Sequence, residues 1–203
     1  MEPSSFALWL NETFAGFDGW LLGVIHTVQQ SPAGAVLNPL AMLLHWFGTA
    51  GLGLIALGLV LLCFRRSRRS GFTVLLALAI GFLLTNLLLK QLVLRPRPYA
   101  SDVAVFHQWW LEAGGLVETA RSFPSGHTTA AMAAMTALFW WGDKRYSWTA
   151  FLFALVMGLS RCYLMVHYPT DVVGGLLAGF LAGTAAYFIV WNLQNRRNRK
   201  EQN

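Results

Sequence analysis

Charged residues are scarce in this chain. Asp, Glu, Lys and Arg make up 12% of its 203 residues, against about 25% in an ordinary soluble domain. That scarcity excludes a water-facing surface of normal polarity, and the 56% of hydrophobic residues read as membrane spans and not as one large core. Cysteine is nearly missing. Cys63 and Cys162 are expected near opposite ends of different spans, which excludes a disulfide framework. No Pro/Ser-rich linker or low-complexity segment interrupts the chain. Residues 1–30 hold no Lys or Arg, and without a basic n-region before an apolar stretch no cleaved signal peptide is expected.

The basic residues that are present are not spread evenly. Arg65, Arg66, Arg68 and Arg69, then Lys144 and Arg145, then Arg196, Arg197, Arg199 and Lys200 each close or open a hydrophobic stretch. This is the positive-inside pattern, which assigns all three clusters to the cytoplasmic side. The net charge of +6 is thereby accounted for without a nucleic-acid partner, and none is expected. The remaining basic residues, Lys90, Arg95, Arg97, Arg121 and Arg161, lie in or beside three short polar motifs.

The hydrophobic pattern predicts an all-α integral membrane fold, a bundle of five to six transmembrane helices with an N-terminal amphipathic helix. Three regions are expected: an interfacial segment over 1–30, the transmembrane domain over 31–193 and a basic cytoplasmic tail over 194–203. In the first, Phe14, Phe17, Leu21, Val24, Ile25 and Val28 recur at helical spacing and fit a helix lying in the outer interface. A full span over 6–28 is the alternative, made costly by Asn11, Glu12 and Asp18. Five spans are then expected at 37–64, 71–93, 126–141, 148–166 and 170–193. Residues 99–123 form an outer loop, with Trp109 and Trp110 in the headgroup belt. Gly175, Gly179 and Gly183 make a small-residue stripe suited to close helix packing.

The three motifs are Lys90 to Pro98 (KQLVLRPRP), Pro124 to His127 (PSGH) and Ser160 to Asp171 (SRCYLMVHYPTD). By the charge argument all three end up on the outer face. Lys, Arg, His and Asp are expensive beside hydrocarbon and seldom stand there without a role. Lys90, Arg97 and Arg161 supply three cations, and Arg binds two phosphate oxygens with one planar fork. Ser125 adds a hydroxyl at the start of a long helix, where unpaired N–H groups favour an anion. Pro169 and Asp171 fit the first turn of the last span. From there Asp171 is placed to accept from one nitrogen of His167 and leave the other to attack phosphorus. His127 is then suited to protonate the departing oxygen. Two His and an Asp also fit zinc, but three neighbouring cations repel it. His26, His45 and His107 fall outside the motifs and are expected to be interfacial or packing residues.

Taken together, the three motifs resemble the signature of the type 2 phosphatidic acid phosphatase (lipid phosphate phosphatase) superfamily, over about residues 35–193 and with no departure. The resemblance implies a metal-independent phosphohydrolase without cofactors. It implies a phosphohistidine on His167, His127 as acid, Asp171 as orienter, and a phosphate pocket of Lys90, Arg97, Ser125, Gly126 and Arg161. Soluble vanadium haloperoxidases share that pocket, but the hydrophobic spans exclude them. The short chain is similar to bacterial undecaprenyl pyrophosphate phosphatases. This implies hydrolysis of undecaprenyl pyrophosphate to undecaprenyl phosphate and inorganic phosphate, on the outer face of the cytoplasmic membrane. Phosphatidylglycerol phosphate, phosphatidate or lipid A phosphates as substrates remain open, as does a lipid phosphotransferase. The lipid phosphate is expected to enter sideways, past Trp109, Trp110 and the N-terminal helix.

Overall fold

A backbone that leaves water must satisfy its own N–H and C=O groups, and an apolar run does so as a helix. The computed structural model, which describes residues 2–201, is all-helical with no strand among those residues. The helices are α1 (Ser5–Thr13), α2 (Ala15–Gln30), α3 (Gly34–Gly48), α4 (Leu52–Cys63) and α5 (Arg68–Phe82). They continue as α6 (Lys90–Val93), α7 (Ala104–Glu112), α8 (Gly126–Trp141), α9 (Ala150–Tyr163) and α10 (Pro169–Glu201). Among the described residues, three stretches are long and apolar enough to cross a membrane: Gly34–Cys63, Arg68–Ala100 and Pro169–Arg199. Their outward faces are apolar as well, with Leu43 64%, Leu87 59% and Leu181 63% exposed, the inverse of a water-soluble surface.

α8 is the centre of the bundle. It packs against α5, α9 and α10 and touches α3 and α4. Its small residues Ala131, Ala133, Ala134 and Ala137 are fully buried. Against them runs the glycine stripe of α10: a Cβ on Gly179 would meet the Thr129 carbonyl oxygen at 2.5 Å, and one on Gly183 the Ala133 carbonyl oxygen at 2.6 Å. Only glycine permits that backbone approach.

Several local features depart from the sequence expectation. The N-terminal helix is two helices, broken at Phe14, and its acidic residue Asp18 is 2% exposed because it is paired inside the protein. The expected span 37–64 is a helix pair kinked at Ala50 and Gly51, which have φ of 51° and 70°. The 71–93 span passes through a π-helical segment, Leu83–Leu89, immediately before Lys90; such segments often accompany functional sites. The outer loop folds its own helix, α7. Trp110 of that helix stacks on Tyr99 at 4.6 Å, and Trp109 on His26 at 4.7 Å. Both indoles pin the loop to its neighbours. The turn from α8 to α9 and the start of α10 fall where the pattern placed them.

Candidate active site

Each motif arrives at the site by a sharp turn. Leu94 (φ 56°) ends α6 and sends Arg95–Pro98 across the bundle; Met165 (φ 54°) turns the chain before His167. A left-handed backbone at non-glycine residues costs about 1–3 kcal/mol each and tends to gather at functional sites. Backbone bonds then lock the pieces together. Ser122 N donates to Arg95 O at 2.9 Å and Ser125 N to Asp171 O at 3.0 Å. The start of α8 is therefore tied to both other motifs.

All the sequence-named residues gather at this one end of the bundle. Arg97, Ser125, Arg161, His167 and Asp171 are buried, as is Lys90. Arg97 Nη1 donates to Val166 O at 2.8 Å and lies 3.2 Å from His167 Nε2. A guanidinium only donates, so Nε2 of His167 is the nitrogen that carries the lone pair. The Nδ1 nitrogen faces Asp171 Oδ2 at 3.4 Å. Burial, and after it Arg97, pushes the His167 pKa well below its ordinary value, which keeps the ring neutral and nucleophilic. Gly126 lies beside Lys90: a Cβ there would be 3.7 Å from the Lys90 Nζ. Ser125 Oγ accepts from Thr128 Oγ1 at 2.9 Å, leaving its own proton for another acceptor. His127 Nε2 lies 3.3 Å from His45 O; a carbonyl only accepts, so this nitrogen holds the proton.

Four residues that the motif reading passed over belong to the same cluster. Arg95 reaches Asp171 Oδ1 at 2.7 Å, Asp18 Oδ2 at 2.9 Å, Thr170 Oγ1 at 2.7 Å and Asn11 Oδ1 at 2.8 Å. It also lies 4.0 Å over the Tyr168 ring. Ser122 donates to Asp171 Oδ2, which takes Tyr168 N as well. Asp171 is thus held from three sides, and residues 1–30 reach it through Asp18. His45 of α3 corrects its reading as a bystander: its ring stacks on His127 at 5.5 Å, and its Nδ1 is 3.2 Å from Arg161 Nη1. Gly48 makes room, since a Cβ there would strike His127 at 2.4 Å. A histidine in the middle of an apolar helix was the available signal for His45.

The fourth is Glu118, from the outer loop. Its carboxylate pairs with Arg161 and, at 2.8 Å, with Arg97. Burial works to raise its pKa, but Arg161 and Arg97 bring it down to about 2. His45, Glu118 and His127 place ligand atoms within 4.8 Å of one another, a trio different from the one the sequence offered zinc. The two guanidiniums on Glu118 and the one on His45 already take those positions, and they suit an anion better than a cation.

A cavity of about 550 Å³ opens from Lys90, Glu118, Gly126 and His127 and runs between the α3–α4 kink, α5 and α8 past Ile55, Leu75, Leu78 and Phe82. Trp109, Trp110 and residues 1–30, expected to border lipid entry, do not line this cavity. Trp110 and Trp109 are packed on Tyr99 and His26, while Ala50 and Gly51 border the cavity.

Comparison with known proteins agrees with this geometry. Undecaprenyl-diphosphatase BcrC of Bacillus subtilis is 28% identical over 153 residues, 73% of this chain and 72% of that protein. Phosphatidylglycerophosphatase B of Bacillus subtilis is 27% identical over 206 residues, 90% and 93% of the two chains. The crystal structure of Aquifex aeolicus LpxE superposes with a TM-score of 0.62 at 26% identity, covering 82% of this chain and 92% of that one. The PAP2 superfamily model matches residues 70–195, which hold all three motifs, and the chain therefore belongs to the PAP2 superfamily of phosphatases.

Proposed function

We propose that this protein hydrolyses a long-chain lipid diphosphate, with undecaprenyl pyrophosphate favoured, through a covalent phosphohistidine. The observation that carries the lipid reading is the cavity, which joins the phosphate-handling cluster to an apolar wall inside the bundle. A water-soluble phosphate has no use for Ile55, Leu75 and Phe82. The prenyl diphosphate is favoured because BcrC is named for it; the phosphatidylglycerophosphate reading follows from the other relative's name.

In the first step Nε2 of His167 attacks the terminal phosphorus as the bond to the bridging oxygen breaks. His127, as an imidazolium, gives a ring proton to that oxygen, which leaves on the lipid phosphate while the ring becomes neutral. Lys90, Arg97, Arg161 and the Ser125 hydroxyl, with the Gly126 start of α8, balance charge on the phosphoryl oxygens. Asp171 steadies the charged ring of the intermediate through Nδ1. Water, deprotonated by the now neutral His127, then attacks phosphorus; the P–N bond to Nε2 of His167 breaks, inorganic phosphate leaves and both rings return to their starting state. No divalent ion is required, because three cations already do its work. The chain is read as five to six membrane helices in the cytoplasmic membrane. The 31–193 domain carries the site at the outer face, the 194–203 tail lies in the cytoplasm, and the N-terminal segment lies along the outer interface. Purified protein incubated with prenyl diphosphate, phosphatidylglycerol phosphate, phosphatidate and lipid A should release phosphate fastest from the first. Transfer of phosphate to a lipid acceptor without release to water would make it a phosphotransferase instead.

A further inference from the structure

Two arginines that are to grip a phosphate already grip a carboxylate. Glu118 is contributed by the loop between α7 and α8, not by any motif. Its backbone is fastened there: Tyr99 Oη donates to Glu118 O at 2.9 Å, and Trp110 Nε1 donates to Leu116 O at 2.8 Å. From this anchored loop the side chain reaches Arg97 and Arg161 at once. The grip satisfies charge but not direction. Arg97 Nη2, although 2.8 Å from the carboxylate, is without an aligned hydrogen-bond acceptor, and the buried Arg161 Nε has none either. A carboxylate has two oxygens in one plane. A phosphoryl group presents three in a pyramid, enough to meet these N–H directions as well. Glu118 also borders the cavity, whereas Arg97, Arg161 and His167 do not. Seen from the cavity, the carboxylate covers the arginines and the nucleophile.

We propose that Glu118 is a resident plug, a carboxylate that holds the anion site between Arg97 and Arg161 in the empty enzyme and is displaced by the incoming phosphate. The inference rests on the phosphatase reading of the pocket. Its physical logic is exchange. Two buried guanidiniums without a counter-ion carry a heavy desolvation cost, and Glu118 offsets part of it while no substrate is present. The substrate must then outbid a tethered competitor, so weak anions such as free orthophosphate are kept out. A lipid phosphate adds the affinity of its tail and gets in. Only the Glu118 side chain has to turn, because its backbone bonds to Tyr99 do not involve the carboxylate.

The test uses orthovanadate and orthophosphate as competitive inhibitors of the full-length protein in detergent. If the plug closes the site more than nine-tenths of the time, the apparent affinity is reduced by that occupancy. Glu118→Gln, which keeps shape and loses charge, should then bind both anions about tenfold or more tightly. Glu118→Ala should do the same, and added acetate should inhibit it competitively while leaving the wild type unaffected. Equal or weaker anion binding in both variants would overturn the plug and make Glu118 a support for the arginines. Should Glu118→Gln fold poorly, the acetate response of Glu118→Ala decides alone: no inhibition by acetate refutes the proposal. A wild-type protein that neither binds vanadate nor releases phosphate from any lipid would instead sink the phosphatase reading itself.

Discussion

At the scale of single residues, the site is a set of buried charges that balance one another. Arg95 is the clearest case. It is 1% exposed and pairs with Asp18 and Asp171 at once. Removing one partner of a buried ion pair leaves an uncompensated charge and costs about 3–5 kcal/mol. Arg95→Met should therefore lower stability by that order in a thermal or denaturant melt, and Arg95→Lys should recover part of it. A melt within about 0.5 kcal/mol of wild type would show that Arg95 holds nothing. The two histidines separate by chemistry. His167→Ala should abolish turnover on every substrate, since in the proposed mechanism its Nε2 forms the bond to phosphorus. His127→Ala should slow a lipid phosphate with a poor leaving group by about 10²–10⁴-fold and an activated aryl phosphate much less. Equal losses on both would remove His127 as the acid. Within the motifs these residues were readable in the sequence. Arg95 stood beside them without a stated task, and Asp18, His45, Ser122 and Glu118 acquire theirs from neighbours up to 152 positions away.

At the scale of elements, the decisive contacts are between helix backbones and at helix breaks. α8 brings Pro124–His127 to Asp171 only because the α10 glycines let it lie close. Gly179→Val should push α8 away by steric overlap with Thr129 O at 2.5 Å, costing about 1–3 kcal/mol and lowering kcat as the Ser125–Asp171 link loosens. The helix breaks do a different job. The kink at Ala50 and the wall of α5 make the apolar arm of the cavity, which Ala79 lines. Ala79→Leu should raise KM for a long-chain substrate about tenfold, the worth of two displaced CH₂ groups at about 0.8 kcal/mol each, with no change for a short water-soluble phosphate. Identical effects on both would mean the tail lies elsewhere. The small-residue stripe was visible as a repeat in the chain. The kink was only partly readable: Gly48, Thr49, Gly51 and Gly53 weaken the apolar run there, but glycines in a helical pattern do not fix where it breaks.

At the scale of the whole molecule, every charge cluster has a side. The arginine loop after α4 and the basic tail of α10 lie at one end of the bundle, bounding a common surface hollow that includes Arg65, Arg69 and Arg197. Lys90, Arg97 and His127 lie at the other end of α5 and α8. In a Cys63→Ala background, an impermeant thiol reagent applied to intact cells should label a cysteine at Asp102 and spare one at Ser67. The opposite pattern would move the site to the cytoplasm and end the case for an outer-leaflet carrier substrate. Excess chelator should leave turnover intact, because the phosphate meets guanidinium and ammonium groups instead of a metal. Removing residues 1–30 is not a clean probe of lipid capture, since it takes Asn11 and Asp18 away from Arg95. The expected outcome is loss of stability together with activity.

By itself the sequence determined the membrane character, the helical class and the three motifs that meet at one end of the bundle. Those features follow from local rules: apolar run length against bilayer thickness, the side preference of arginine, and the spacing of a few chemical groups. Only the tertiary structure decided what surrounds them. It set the kink of the first span at Ala50 and Gly51, opened a cavity between that kink, α5 and α8, bound the N-terminal helices to the Arg95–Asp171 pair, and set Glu118 between two arginines. Each of these depends on a charge or a gap meeting its complement from a distant part of the chain, and a pattern that reads neighbours in sequence contains no term for that.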